Sequence, residues 1–409
     1  MHPIVRQLRS GAFYFIIPAA GAVSPLLVIP ALTHTYGAAG WAAVAVAQSI
    51  GTSAGLIAEL GWGVVGPQRV ARADEAERHS LYQSAFATKL AACAVLAPLS
   101  ALSAWLLAPS HQLAAALIGA ASVFACLSPS WYLTGCNRPV SIFLIETVPR
   151  LAFALLAALA IYLGGPLELF GASISLAILT TIVLAARAIG VSAWPGSAAF
   201  HGGAAIIREQ LPITLGRVVS VIYTALPITL VSMVSPASVA SFAGVERLMR
   251  MFLTLLGGIP SRLQSWVGVA HGEERITRSR RSLRFNAALG LGGALFFAGV
   301  IPWIAPFIFS HAVHLPTLPV CIAAGVVFLV CTSRGYGLSL VAEGGANWTG
   351  LANLGAALVG VAAITGLAAR WGVPGGLFGE VLCEAAGLGI QMFFLHFGRQ
   401  WFAQRRKRR

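Results

Sequence analysis

Charged residues are scarce in this 409-residue chain, at 10% of the total, and aspartate occurs only at Asp74. A single aspartate excludes the paired Asp-x-Asp motif that would hold a metal and a sugar nucleotide. No Gly-x-x-x-x-Gly-Lys-Ser/Thr loop occurs, so ATP is not the direct source of energy. The six cysteines form no Cys-x-x-Cys pair, and no catalytic triad is recognisable. We therefore expect neither an enzyme nor a metal site.

Apolar residues, in contrast, make up 57% of the chain, and the mean hydropathy is +0.81. Apolar runs of transmembrane length recur from one end of the sequence to the other. The net charge of +14 is explained by basic cytoplasmic loops and does not indicate nucleic acid as a partner. The composition predicts an all-α, polytopic membrane protein.

The hydropathy pattern predicts twelve transmembrane helices. They lie near residues 11–36, 40–65, 82–108, 112–135, 140–164, 168–192, 209–234, 238–265, 285–309, 316–341, 347–370 and 373–398. Lys and Arg are concentrated in the even-numbered connections and at both ends, whereas the short odd-numbered connections carry only Arg370. By the positive-inside rule, both termini are cytoplasmic. The basic C-terminal tail is also placed to contact anionic membrane lipids.

The two halves of the chain share a pattern. Residues 33–60 and 231–258 each contain a short turn of small residues, followed by a span with polar groups one or two turns in. We therefore predict two six-helix lobes, at residues 1–200 and 201–409. With six helices each, the lobes have the same orientation, and such repeats commonly pack around a central cavity that holds the substrate site.

The eighth span carries three charges on one face. At 100° per residue, Glu246, Arg250 and Arg247 fall within an arc of about 100°. Glu246 and Arg250 have the i, i+4 spacing and the order that favour an ion pair. Because charges inside a bilayer normally face a bundle interior or an aqueous cavity, we expect these side chains to line the cavity.

The polar residues of the spans are assigned to two roles, substrate binding and structural ion pairing. The substrate-binding candidates of the cavity are Arg217, Arg247 and Arg250, together with Gln48, Ser220 and Thr224. A positive cavity of this kind suits an anionic substrate. Glu146 and Arg150 in the fifth span are interpreted as a structural ion pair between helices.

Four segments, in this order, resemble one family of membrane proteins. They are LGWGVVGPQRVAR (60–72), SPSWYLTGCNRP (128–139), the stretch from IREQLPITLGR to FAGVERLMR (207–250) and GVPGGLFGEVLCEAAG (372–387). Together they resemble the polysaccharide transporters, the Wzx-type flippases of lipid-linked oligosaccharides. That family belongs to the superfamily of the multidrug and toxin extruders and the lipid II flippase.

This resemblance implies a function. The implied substrate is an undecaprenyl-diphosphate-linked oligosaccharide, a repeat unit of O-antigen, exopolysaccharide or capsule, moved by alternating access across the bacterial inner membrane. It also implies coupling to H⁺ or Na⁺, for which Glu59, Glu246 and Glu380 are the acidic candidates, and no other cofactor. A polysaccharide polymerase and glycosyltransferases would be partners.

Two alternatives stay open. One is a cation-coupled exporter of small molecules on the same fold, although hydrophobic cations would favour a negative cavity. The other is a non-transporting membrane partner of a polysaccharide synthase. A membrane-bound ligase or polymerase is disfavoured, since it would need a large external loop and every predicted external loop is short.

Overall fold

The structure is a computed structural model. It describes residues 3–192, 194–196, 199–200, 206–208, 210, 218–219, 225–270, 272–343 and 345–406. Across these ranges the chain is almost entirely helical and contains no β-strand. The helical membrane fold predicted from the sequence is thereby confirmed.

Thirteen α-helices occur in the described ranges. They are α1 Pro3–Ala58, α2 Trp62–Arg72, α3 Glu75–Leu107, α4 Gln112–Val123, α5 Ser130–Gly135, α6 Pro139–Ile142, α7 Val148–Tyr162, α8 Glu168–Ile189, α9 Pro227–Val234, α10 Val239–Gly268, α11 Gly272–Ile308, α12 Thr317–Ala342 and α13 Ala346–Arg406. Two 3₁₀ segments, Phe124–Leu127 and Pro236–Ser238, and one π-helical turn, Phe143–Thr147, complete the set.

The predicted spans coincide with these helices, several of which are joined end to end. Eight continuous stretches of the described residues are long and apolar enough to cross a membrane. One stretch, Trp348–Phe397, has 50 residues and contains both the eleventh and the twelfth predicted spans. About half of the seventh predicted span lies outside the described residues, and α9 is the longest described segment of that span.

Glycines separate joined spans within α1 and α13. Gly37 has φ 63° and ψ −159°, and Gly372 has φ 57° and ψ −128°, so both lie where side chains other than hydrogen are strained. At Gly372 an added Cβ would also come within 2.7 Å of Ser238 Oγ. Each glycine reverses or bends the chain between two spans that the sequence predicts as separate.

The basic connection before the ninth span is helical, which differs from the loop that the sequence suggested. Helix α11 begins at Gly272, well before the predicted span at residue 285. Glu273 and Glu274 lie in its first turn, where acidic groups favour a helix N-terminus. Arg278 then bonds Glu274 one turn earlier, at 2.5 Å, and also donates to the backbone oxygen of Trp266. These local contacts extend the helix beyond its apolar part.

Two compact units divide the chain. The first, called the N-lobe, comprises Met1–Val221 and Ile308–Ala312, and the second, called the C-lobe, comprises Ile222–Phe307 and Val313–Arg409. The predicted boundary between residues 200 and 201 falls in a stretch that lies largely outside the described residues. Each lobe is considered separately below.

Candidate functional site

The C-lobe contains a cluster of opposite charges, which we call the C-lobe triad: Glu246 and Arg250 on α10 and Glu380 on α13. Arg250 Nε donates to Glu246 Oε1 at 2.8 Å, within one turn of the same helix. Arg250 Nη2 lies 3.5 Å from Glu380 Oε2, which belongs to a helix far away in sequence. One guanidinium therefore faces two carboxylates.

Both carboxylates of the triad are almost completely removed from the surface. The side chain of Glu246 is 4% exposed and that of Glu380 is 3% exposed, while that of Arg250 is 27% exposed. Charges inside a membrane are costly and are retained where they face partners or a polar interior. Among the acids of the spans, these two are the most deeply buried that the structure describes.

Further charges surround the triad. Glu384 on α13 is half-buried and acts electrostatically on both Arg250 and Arg334. Arg334 on α12 donates from Nη1 to the backbone oxygen of Leu253 at 3.2 Å. Arg247 is half-buried and lies next to Glu246 in α10, whose carboxylate acts on it electrostatically. Three helices thus bring acids and bases together in the C-lobe.

The charges of this cluster balance only when the neighbours of the triad are counted. With all groups ionised, the two carboxylates and one guanidinium of the triad carry a net charge of −1. Arg247 and Arg334 add two positive charges and Glu384 adds one negative charge, so the six groups together are neutral. Protonation of one carboxyl would therefore change the electrostatic balance around Arg250.

The N-lobe contains a cavity of about 260 Å³, which we call the N-lobe cavity. Its lining combines apolar groups with polar side chains from four helical segments. The polar members are Gln48, Thr52, Ser122, Arg150 and Ser173. A site of this kind, mostly apolar with a few convergent polar groups, is typical of binding pockets.

Arg150 stands at the wall of this cavity and is fixed by an ion pair. Its Nη2 donates to Glu146 Oε1 at 2.6 Å, and Ser128 Oγ donates to Glu146 Oε2, also at 2.6 Å. Glu146 lies in the π-helical turn, a feature that is frequent at functional sites. Next to the ion pair is a small cavity of about 20 Å³, enough for roughly one water molecule.

The predicted site residues distribute over both lobes. Gln48 lines the N-lobe cavity, and Glu59 is half-buried just after the end of α1. Glu246 pairs with Arg250, and Glu146 with Arg150, each at the i, i+4 spacing. The second pair lies within one span and not between helices, which differs from the prediction. The functional roles of both pairs stay predictions. Three predicted cavity residues lie outside the described residues: Arg217, Ser220 and Thr224.

Several polar residues were missed by sequence reasoning. Lys89 on α3 is only 1% exposed, with Nζ 5.3 Å from the centre of the Trp131 ring, an arrangement suited to a cation–π interaction. The signal was present, since a single lysine interrupts the apolar third span. Ser122, Ser128 and Ser173 carried no comparable signal, because serine is common in membrane helices and their common position near Arg150 arises only from packing.

In the described ranges, no group of three His, Cys, Asp or Glu side chains is arranged to hold a metal ion. The C-lobe triad and the N-lobe cavity offer ion pairs, hydroxyls and the amide of Gln48. Such groups bind and release anions, sugars and protons.

The fold of this chain is similar to those of several solved membrane proteins. The chain has the fold of a lipid II flippase MurJ in its inward closed conformation, with a TM-score of 0.69 and 12% identity over 93% of this chain and 87% of that one. It also resembles an inward-facing MATE family multidrug resistance transporter, with a TM-score of 0.66 and 14% identity over 95% of each chain. A MATE protein in the bent conformation matches with a TM-score of 0.58 and 14% identity.

At identities of 12–14% the solved structures show only the fold, and family membership is shown by a match to a family model. No curated protein matches the chain. The model of the family described as "Polysaccharide biosynthesis protein" matches residues 8–262, which is more than half of the sequence. The chain is therefore a multi-pass membrane protein that belongs to the polysaccharide biosynthesis protein family.

Proposed function

We propose that this protein is a flippase that moves an undecaprenyl-diphosphate-linked oligosaccharide across the bacterial inner membrane by alternating access. The proposal rests on two findings taken together. The chain belongs to a family named for polysaccharide biosynthesis, and its fold is shared with a lipid II flippase. Both point to a polar head group attached to a membrane lipid. The two compact lobes are the parts that alternating access would move against each other.

The C-lobe triad supplies a mechanism for coupling. We assign the coupling ion, H⁺ or Na⁺, to the carboxyls of Glu246 and Glu380, since these two buried groups share one guanidinium, that of Arg250. Binding of the ion would stabilise one set of contacts of Arg250, and its release another. A ligand shifts a conformational equilibrium only through such differential contacts.

An exporter of hydrophobic cations on the same fold is the second candidate, and the likeness to MATE transporters favours it. Two observations weigh against it. The family match is to polysaccharide biosynthesis, and the only charged side chain that lines the N-lobe cavity among the described residues is Arg150. Arg150 is paired with Glu146, but its side chain is the more exposed of the two, so the cavity presents a guanidinium, which favours an anion over a cation.

Complementation tests the proposed function. A bacterial strain lacking its own flippase is supplied with this gene and the genes for one repeat unit, and surface glycan is measured. We expect surface glycan to be restored by the natural protein and lost with Glu380→Gln at equal expression. We also expect the drug sensitivity of the complemented strain to be unchanged. Drug resistance without glycan export would favour the exporter instead.

A further inference from the structure

We propose that the N-lobe cavity binds an acidic sugar of the transported oligosaccharide, with Arg150 holding its carboxylate and hydroxyl oxygens of the cavity accepting its sugar O–H groups. The inference rests on the proposed function for the source of the sugar. The cavity itself is a property of the N-lobe, since all of its lining residues belong to that lobe.

Arg150 is the anchor because it has donors to spare. A guanidinium has five N–H donors. One nitrogen of Arg150 bonds Glu146, and in the described residues no other hydrogen bond of this side chain is present. Its side chain is 44% exposed, so the remaining donors are accessible to a ligand in the cavity. Arginine can hold a carboxylate through two parallel hydrogen bonds.

The two serines face the ligand as acceptors. Ser122 Oγ donates its proton to the backbone oxygen of Ile118 at 2.7 Å, and Ser173 Oγ donates to the backbone oxygen of Phe170 at 2.7 Å. A hydroxyl has one proton but two lone pairs. With their protons engaged, both serines offer only lone pairs to the cavity, and lone pairs match the O–H donors of a sugar.

This donor–acceptor pattern discriminates between two anions. As HPO₄²⁻, phosphate has one O–H donor and three acceptor oxygens, so it would meet Arg150 well but could donate to only one of the two serines. A uronic acid has one carboxylate for Arg150 and several hydroxyl donors for the serines and for Gln48. The apolar walls, which include Phe170 and Ile174, suit the non-polar faces of a sugar ring. The pattern therefore favours the acidic sugar.

Glu146 regulates how tightly this site binds. Its carboxylate competes with the ligand for Arg150, and Ser128 holds it in place. Neutralising Glu146 would remove the competitor while leaving an amide that can still accept one hydrogen bond. Ligand affinity is then expected to rise, which is the opposite of what loss of a binding residue produces.

Direct binding tests the inference without transport. The purified full-length protein in lipid nanodiscs is titrated calorimetrically with glucuronate, glucose and inorganic phosphate. We expect Arg150→Gln to weaken glucuronate binding at least tenfold and to leave glucose binding within twofold. Ser173→Ala is expected to weaken both sugars to a similar extent, and Glu146→Gln to strengthen glucuronate binding several-fold. Arg187→Gln, an exposed arginine on α8 away from the cavity, is the matched control.

Each outcome decides the matter. Glucuronate binding within twofold of the natural protein in Arg150→Gln would overturn the inference, as would phosphate binding more tightly than glucuronate through Arg150. If Arg150→Gln does not fold, a failure of Glu146→Gln to change glucuronate affinity also overturns it. Binding as expected, together with failed complementation, would leave the cavity established and the flippase proposal refuted.

Discussion

Replacing Arg250 by methionine removes the single cation of the C-lobe triad and leaves two buried carboxyls facing each other. The side chains of Glu246 and Glu380 are 4% and 3% exposed, so their charges are balanced in the natural protein by the guanidinium and not by bulk water. Breaking a buried ion pair by deleting one partner typically costs about 3–5 kcal/mol. We expect Arg250→Met to lose about that much free energy of unfolding.

The same reasoning predicts a rescue. When the entire ionic group is replaced by neutral side chains of similar size, the stability is often equal or higher, because no unpaired charge is left buried. Because Arg247 lies beside Glu246, Glu246 is kept to balance it, and the double variant Arg250→Met, Glu380→Gln should therefore regain most of the stability that Arg250→Met loses. A matched control is Arg150→Met in the N-lobe, whose pair with Glu146 is more exposed and is expected to contribute up to about 1 kcal/mol.

Unfolding in mixed micelles, followed by circular dichroism as the fraction of denaturing detergent rises, measures these differences. The contrast of Arg250→Met with Arg150→Met is the informative quantity, since both remove an arginine from an i, i+4 pair. A loss below about 1 kcal/mol for Arg250→Met, or a double variant as unstable as the single one, would refute the buried-triad argument.

Three further predictions concern the fold. Asp74 accepts a hydrogen bond from the backbone N–H of Glu77 at 2.9 Å and caps α3, so Asp74→Ala should lower stability by about 1 kcal/mol while Asp74→Asn should not, as measured by thermal unfolding. Gly372→Ala should cost roughly 1–3 kcal/mol, and adding Ser238→Ala should restore only part of it, because the contact is relieved and the backbone strain is not. For orientation, a cysteine introduced at Ser110 in a cysteine-free background should react with an impermeant maleimide from outside intact cells, and one at Glu77 should not; the reverse pattern would contradict the predicted topology.

The local part of the architecture could be predicted from sequence. Apolar runs and short polar turns located the spans, because a bilayer dictates their length. The pair Glu246–Arg250 was predictable for a similar reason: residues four apart lie on one face of a helix. The hydropathy pattern did not predict that neighbouring spans are joined end to end, since a single glycine such as Gly372 redirects the chain without a polar loop.

The assembly of the site could not be predicted. Nothing local connects Glu380 to Arg250, whose contact joins α10 and α13, and nothing local connects Ser128 to Glu146. The prediction that Arg150 is purely structural rested on its spacing from Glu146 alone. Its position on the wall of a cavity emerges only when α1, α4, α7 and α8 are packed together. Long-range contacts of this kind require the tertiary structure.

The most direct test of the central claim is flipping in a defined membrane. Purified protein is reconstituted into liposomes with a fluorescent oligosaccharide on a polyprenyl diphosphate, and the fraction protected from an external glycosidase is followed after a proton or sodium gradient is imposed. We predict that the natural protein equilibrates the lipid across the bilayer much faster than empty liposomes, and that Glu380→Gln slows it at least tenfold. Exchange no faster than in empty liposomes under either gradient would contradict the assignment of this protein as a flippase.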